Sequence, residues 1–254
     1  MIVLLSPSKT LNFEKNKTEI PFTQPQFMRE TKQLVRIMKK KKVEELRSLM
    51  DISEKIAVLN VQRYREFSPD FDLSNAKQSV LAFKGDVYTG LNASQWNLEN
   101  LNFAQDHLRI LSGLYGLLRP LDLIMPYRLE MGVGLAHSKG NNLYKFWGNK
   151  LTNQLQTELK LMEHPIVLNL ASQEYAKAID FKTLKGKVIH FQFKEVRNGQ
   201  LTFISFNAKK ARGLMAQFII TQRIDKVEDL KAFNLENYLF DETLSSEDQF
   251  VFTR

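Results

Sequence analysis

Arg119, Asp122, Arg128 and Glu130 fall within one stretch, Asp106 to Met131 (DHLRILSGLYGLLRPLDLIMPYRLEM), where two prolines and two glycines interrupt apolar residues. Pro120 suits the second position of a type I turn, which puts Arg119 and Asp122 at its two ends, where their side chains can meet. Pro126 biases Met125 toward an extended backbone. If Tyr127 to Met131 continues extended, Arg128 and Glu130 share one face while Tyr127, Leu129 and Met131 share the other. Guanidinium forks on a charged face can grip a carboxylate or phosphate through two parallel hydrogen bonds. A salt-bridged turn that ties two layers together would use the same residues, and pattern alone leaves both readings open.

Such groups become a site only if the chain positions them. Ile2 to Leu5 reads as a strand that ends in Ser6-Pro7-Ser8-Lys9-Thr10. Val80 to Phe83 reads as a second short strand, ending in Lys84-Gly85-Asp86, and Leu108 to Leu111 is a buried strand or helical turn. Ile166 to Leu170 is a strand that runs into Ala171-Ser172-Gln173-Glu174-Tyr175. Val188 to Val196 and Leu201 to Phe206 flank Asn198-Gly199, a strong hairpin signal. Lys209, Lys210 and Arg212 then open a helix that Gly213 to Ile220 continues. Phe146, Leu151, Leu155 and Leu159 have the spacing of one structural helix.

Several strands thus end in polar or cationic loops, and in α/β sheets ligands bind at such ends. The expected basic cleft gathers Lys9, Lys84, Asp86, Arg119, Arg128, Glu130, Asn169, Ser172, Lys209, Lys210 and Arg212, with Tyr88, Arg109 and Tyr127 from the same stretches. Lys84 to Gly90 lacks the Gly-Lys-Ser/Thr ending of a phosphate-binding loop. No nucleophile–base pair or paired-carboxylate spacing stands out, so no reaction is named.

The chain has 254 residues, 43% hydrophobic and 25% charged, which fits one soluble globular domain. No apolar run nears the roughly 20 residues that span a bilayer. MIVLLSPSKT reads as a first strand and not a signal peptide, so a cytoplasmic protein without membrane contact is expected. The absence of cysteine removes disulfides and thiolate metal sites. His107, His137, His164 and His190 are scattered, and neither a metal nor a cofactor is expected.

The net charge of +8 is unevenly placed. From Arg29 to Arg47 there are eight basic residues against three acidic, and from Lys177 to Arg212 nine against two. Asp225 to Asp248 reverses the balance, eight acidic against two basic. Such segregation builds a positive field that favours polyanions, nucleic acid among them, although a merely solvated surface has the same composition.

A helix from about Gln26, with Phe27, Leu34, Val35 and Met38 as its buried stripe, should end at Lys39, Lys40, Lys41 and Lys42, whose like charges repel within a helix. Leu46 to Ala57 (LRSLMDISEKIA) then matches the helix-hairpin-helix pattern LxxLPGIGxxxA of DNA-binding proteins at Leu46, Leu49, Ile52 and Ala57. Asp51 and Ser53 replace its glycines and Met50 its proline. Backbone N–H groups of such a hairpin can hold a DNA phosphate. The candidate DNA-binding residues are Lys39 to Lys42, Met50, Asp51, Ile52, Ser53 and Lys55, in an element over about 43–66. A plain αα-hairpin with Ser53 as N-cap is the competing reading.

SPSKT at Ser6 to Thr10, LAFKGDVYTGL at Leu81 to Leu91, HLRILSGLYGLLRPLD at His107 to Asp122, PYRLEMG at Pro126 to Gly132, NLASQEY at Asn169 to Tyr175 and AKKARG at Ala208 to Gly213 together resemble the YaaA family of peroxide-stress-resistance proteins. Ser8 stands where that family often has alanine. The resemblance implies a cytoplasmic bacterial protein that limits free iron and oxidative damage under hydrogen peroxide. It also implies an unusual mixed α/β fold, a single domain with a mixed sheet and flanking helices, that binds double-stranded or distorted DNA through a hairpin and a positive cleft. The residues themselves favour a basic polyanion binder and do not speak of peroxide or iron. An enzyme acting on a nucleotide, nucleobase or nucleic acid in the same cleft is the alternative.

Overall fold

The computed structural model describes residues 1–14 and 20–254. Its centre is β1 (Ile2–Leu5), four residues that are all fully buried, so both faces of the strand are covered. A run this apolar is what a parallel strand with helices on both sides requires. β2 (Thr10–Leu11) follows the SPSK loop, and α1 (Met28–Met38) buries Leu34, Val35 and Met38 as its stripe. Helix α1 ends at the lysine run. Then α2 (Val43–Met50) and α3 (Glu54–Glu66) form a helical hairpin closed by a turn with Asp51 left-handed and Ser53 extended.

Val80 to Phe83 departs from the expected strand. β3 (Lys77–Gln78) leads into α4 (Ser79–Ala82), a single helical turn, and only β4 (Phe83–Lys84) is extended. The cause is tertiary: the Ser79 hydroxyl donates to the carbonyl of Arg119 at 2.8 Å, and the Val80 N–H to that of Pro120 at 3.1 Å. The Arg119 turn thus takes the hydrogen bonds a ladder would have used. Helix α5 (Asp86–Leu91) and helix α6 (Leu98–His107) follow, leading into β5 (Leu108–Ser112), β6 (Gly116–Leu118) and β7 (Leu123–Ile124).

The single helix expected through Phe146 is two, α7 (Leu143–Trp147) and α8 (Lys150–Leu159), because Gly148 between them takes φ of +50°. β8 (Ile166–Asn169) and α9 (Gln173–Ala176) precede the long β9 (Lys187–Arg197), which turns through Asn198 and Gly199, both at positive φ, into β10 (Gln200–Thr202). β10 is shorter than the pattern predicts, and α10 (Ser205–Gln222) starts ahead of Lys209. β11 (Leu239–Phe240) and β12 (Gln249–Thr253) complete the chain.

The sheet runs β11-β12-β9-β8-β1-β5-β6, with β10 hairpinned onto β9. β5, β1, β8, β9 and β12 are mutually parallel; β6, β10 and β11 are antiparallel to their neighbours. The fold is therefore mixed α/β, a single compact domain with a central mixed sheet and flanking helices. Among the described residues, no helix is long and apolar enough to cross a membrane.

Two glycines set how α10 lies on α5. A Cβ on Gly213 would stand 1.8 Å from the Val87 carbonyl oxygen, and one on Gly90 would stand 2.2 Å from that of Lys210. Backbone meets backbone at this crossing, and no larger residue fits either position. The contact places the Lys209–Arg212 turn of α10 beside the helix that follows β4.

Candidate functional site

The carboxyl ends of β1, β5 and β8 open on one side of the sheet, and the loops leaving them interlock. The hydroxyl of Ser6, just past β1, donates to the Ser172 hydroxyl at 3.2 Å and accepts from the Ser172 backbone N–H at 2.8 Å. The carbonyl of Ser6 accepts from the Tyr88 hydroxyl of α5 at 3.0 Å. Ser8 donates to the Lys84 carbonyl, and β2 pairs Thr10 with Lys84. Gly85 has φ of +136°, and a Cβ there would meet the Ser8 hydroxyl at 2.8 Å, so the tight approach of these two loops needs glycine.

Lys9, from the same loop, reaches Oε1 of Glu130 at 3.3 Å, and Arg128 delivers Nη2 to that oxygen at 3.0 Å and Nε at 3.1 Å. Tyr127, Leu129 and Met131 are buried, Arg128 is half-buried, and Glu130 is buried with them. The segment is held from several directions. The Tyr127 hydroxyl and Ser112 Oγ share a 2.6 Å hydrogen bond, Gly132 N–H donates to Glu174 Oε1 at 2.9 Å, and the Tyr144 hydroxyl donates to the Glu174 carbonyl at 2.9 Å.

Burial pushes the hydroxyls of Tyr88, Tyr127 and Tyr175 far above the usual phenol value, and the nearby Glu130 charge adds to this at Tyr127 and Tyr175. These tyrosines therefore act as neutral hydrogen-bonding groups at any physiological pH. At the end of β8, Asn169 meets Nδ1 of His190 at 3.0 Å and accepts from the Ala171 N–H at 3.1 Å.

Lys9, Lys84, Tyr88, Tyr127, Arg128, Glu130 and Ser172 are thus linked through the loops of one rim, with Asp86 at the start of α5 and Asn169 at the end of β8 beside it. Arg212, half-buried on α10, stands one residue before the glycine of the helix crossing, and desolvation holds its guanidinium below the ordinary arginine value. Lys209 is exposed, and Lys210 is engaged by Glu236.

Two arginines belong elsewhere. Arg109 sits near the start of β5, at the opposite end of the strand, where it is buried against Glu158 of α8 at 2.7 Å and the carbonyls of Gln105 and Leu108. Arg119 closes its own turn onto Asp122, at 2.8 Å through Nη2, and Asp122 also takes the Thr23 hydroxyl at 2.6 Å. Both act as structural pairs and do not line the cleft.

The helical hairpin forms a second candidate surface. Met50 and Ile52 pack toward the core, and Ser53 caps α3 through a long 3.5 Å contact from the Ile56 N–H. Lys39 donates to the Phe67 carbonyl at 3.2 Å and Lys41 pairs with Glu45 at 2.8 Å, which leaves Lys40, Lys42 and Lys55 as the exposed ammonium groups without a carboxylate partner among the described residues. Asp51 and Glu54 put two carboxylates at the turn, the latter 3.8 Å from Arg47. Tyr64 of α3 donates to the Arg128 carbonyl at 2.7 Å, which fastens the hairpin to the cleft segment.

Ser6, Ser8, Glu174 and Tyr175 escaped selection as site residues although all lie inside stretches singled out by pattern, and Tyr64 carried no signal. Among the described residues, no three His, Asp or Glu side chains group as a metal site would need. A groove of about 920 Å³ is lined by Phe22, Leu73, Trp96 and Leu98, with no charged residue in its wall among the described residues.

The family model described as peroxide stress protein YaaA matches residues 1–244. A UPF0246 protein of Cellvibrio japonicus (strain Ueda107) is 52% identical over 254 residues, covering 100% of this chain and 98% of that protein. UPF0246 proteins of Albidiferax ferrireducens and of Shewanella sp. (strain ANA-3) are 49% and 48% identical, each across 100% of this chain and 98% and 99% of their own. The family model takes in the strand-end loops, the hairpin and every strand before β12, the relatives match the whole chain, and the chain belongs to the peroxide stress protein YaaA family.

Proposed function

We propose that this protein binds double-stranded or distorted DNA in the cytoplasm under peroxide stress, using the α2–α3 hairpin and the adjoining strand-end cleft. The observation that carries the reading is the hairpin turn: Asp51 adopts φ of 48° and ψ of 63°, the left-handed conformation a helix-hairpin-helix asks of glycine at that place. Ser53, Glu54 and Lys55, which open α3, are exposed, as are Lys40 and Lys42, and free N–H groups at a helix start take a phosphate oxygen without using side chains. Three free lysines against Asp51 and Glu54 leave a small positive excess. The strand-end cations, joined to the hairpin through Tyr64, extend that surface. The limitation of free intracellular iron that the family resemblance implies is part of the proposal as a consequence of binding, with no ligand set on this chain assigned to it.

Duplex affinity measured against salt tests this. It should fall linearly on a log–log plot as counterions are released, and replacing Lys40, Lys42 and Lys55 with alanine should lower the slope by about 0.9 for each phosphate contact removed. Ser53→Glu should weaken binding by placing charge at the phosphate position while the fold survives, since glutamate is tolerated near a helix N-terminus. Affinity that ignores salt, or a folded Ser53→Glu protein that binds as wild type, would overturn the reading.

A further inference from the structure

A recess of about 550 Å³ lies between α1 and the chain from His137 to Lys150, and none of its lining residues belongs to the hairpin or to the strand-end loops. Its wall carries Arg29, Arg36, Lys139 and Lys150 against one described carboxylate, Glu30. Lys150 pairs with Glu30. Arg29, Arg36 and Lys139 are exposed, and among the described residues none of them has a carboxylate within ion-pair distance. The recess therefore holds a positive excess that the protein does not neutralise.

The turn that presents Lys139 is tied down on both sides. His137 and Gly140 exchange two backbone hydrogen bonds, at 2.8 Å and 3.1 Å, across it. Nε2 of His137 meets the Asn142 carbonyl at 2.8 Å, and Nδ1 meets the Lys139 N–H at 3.1 Å. A carbonyl only accepts and an N–H only donates, so His137 is held as the neutral Nε2–H tautomer. It orients the turn without adding charge. Its ring packs edge-on against Phe146 at 5.3 Å, and the Lys139 ammonium stands 5.9 Å from the centre of the same ring.

On the other wall, Arg29, Gln33 and Arg36 are spaced by four and three residues and share one face of α1. Arg29 and Arg36 leave the helix about 10 Å apart along its axis. A single compact anion meets one of them, whereas a chain of linked phosphates meets both and reaches Lys139 across the recess. Guanidinium forks match phosphate oxygens in pairs, and a concave wall of one sign concentrates a multivalent anion more than a flat surface does.

We propose that this recess binds an oligophosphate, two or three linked phosphates either free or carried by a nucleotide, gripped by Arg29 and Arg36 on one side and Lys139 on the other. The hairpin and the DNA-binding reading play no part in it.

Calorimetric titration with orthophosphate, pyrophosphate, tripolyphosphate and a nucleoside triphosphate, at constant ionic strength and without divalent metal, tests this. The proteins are wild type, Arg29→Ala/Arg36→Ala, Lys139→Glu, Glu30→Gln and Lys226→Ala, each with its melting temperature, and a DNA duplex is titrated in parallel. Affinity should rise with each added phosphate and fall at least tenfold in Arg29→Ala/Arg36→Ala and in Lys139→Glu. Glu30→Gln should bind tripolyphosphate more tightly, because it removes the carboxylate of the wall. Lys226→Ala, which deletes an exposed charge outside the recess, should bind as wild type. A nucleoside triphosphate that matches tripolyphosphate shows that the phosphates alone are read; one that binds at least tenfold tighter identifies a nucleotide as the source. Should the double variant lose its fold, Lys139→Glu, at an exposed turn, carries the comparison. Absence of tripolyphosphate binding, no preference for it over orthophosphate, or an equal loss in Lys226→Ala overturns the inference. So does a duplex affinity that falls in the double variant while tripolyphosphate goes unbound, which would give these cations to the DNA backbone. Tripolyphosphate binding by a protein that does not hold the duplex leaves this inference standing and removes the DNA-binding reading.

Discussion

The hydroxyl of Tyr64 donates to the main-chain carbonyl of Arg128 at 2.7 Å, so one hydrogen bond ties the helical hairpin to the segment that carries the cleft's guanidinium. Tyr64 is 1% exposed, and its ring is part of the core whatever the hydroxyl does. A hairpin acting alone would need no such anchor. The bond fixes α3 relative to the strand ends, which is what a surface shared between them requires.

Tyr64→Phe isolates that function because the ring stays and only the donor leaves. Losing a buried hydrogen bond should cost about 1–2 kcal/mol. DNA affinity should drop beyond what this loss explains, since the hairpin and cleft would no longer hold a fixed spacing. Chemical denaturation and a binding isotherm on the same protein check it; a destabilised variant with unchanged affinity would mean that the two surfaces work independently.

Gly213→Ala should be among the most damaging single-methyl changes in the chain. The added carbon would stand 1.8 Å from the Val87 carbonyl oxygen and 2.8 Å from the Leu91 nitrogen, both backbone atoms that cannot rotate away. Overpacking of this kind costs about 3 kcal/mol or more. Helix α5 would be pushed off α10, taking Tyr88 from the Ser6 carbonyl. A denaturation midpoint near wild type would show that the crossing can open without loss.

Much of this arrangement was legible in sequence, and what was not has a common cause. Short apolar runs ended by polar loops located the carboxyl ends of β1 and β8, because a buried parallel strand must be apolar along its length. The spacing of Leu46, Leu49, Ile52 and Ala57 found the hairpin, because helix packing repeats. Pairing over long distances was hidden. Ser6 and Ser172 are 166 residues apart, and neither is unusual where it stands. Arg109 looked like a cleft cation because its partner, Glu158, comes from a helix 49 residues later. Val80 to Phe83 is apolar enough for strand or helical turn, and the carbonyls of the Arg119 turn, far along the chain, decided the matter.

Acid stability should depend on Glu195. This carboxylate is 3% exposed and accepts from Arg197 at 2.7 Å, Arg254 at 2.8 Å, Asn207 at 2.6 Å and the Tyr238 hydroxyl at 3.2 Å. Burial alone would raise its pKa, but the hydrogen bonds from Arg254, Arg197 and Asn207 outweigh burial and hold it below the ordinary glutamate value. With the folded value depressed, the stabilisation is complete above the unfolded pKa of about 4.3 and is lost as pH falls through the folded value. Glu195→Gln should cost about 3 kcal/mol at neutral pH, the low end for a buried pair because Arg197 is exposed. It should also flatten the fall in melting temperature between pH 5 and 3. A variant that loses stability in acid as steeply as wild type would place the acid sensitivity elsewhere.

Arg128 separates function from structure most cleanly, because two substitutions there divide its charge from its shape. Arg128→Ala leaves Oε1 of Glu130 with Lys9 alone, at 3.3 Å and from an exposed side chain. That should cost about 2–3 kcal/mol, less than the roughly 3–5 kcal/mol of stranding a buried carboxylate outright. Arg128→Lys keeps a cation beside Glu130 and should stay within about 1 kcal/mol of wild type, yet it lacks the planar fork that meets a second anion while holding the first. If the guanidinium serves only the pair with Glu130, survival of cells under hydrogen peroxide should follow melting temperature, lost with alanine and kept with lysine. If it also grips the anionic part of a ligand, both variants should fail to protect despite their different stabilities. Survival assays and thermal melts on the two proteins decide between these outcomes. Full protection by Arg128→Lys would remove Arg128 from the functional surface and leave it a structural ion pair.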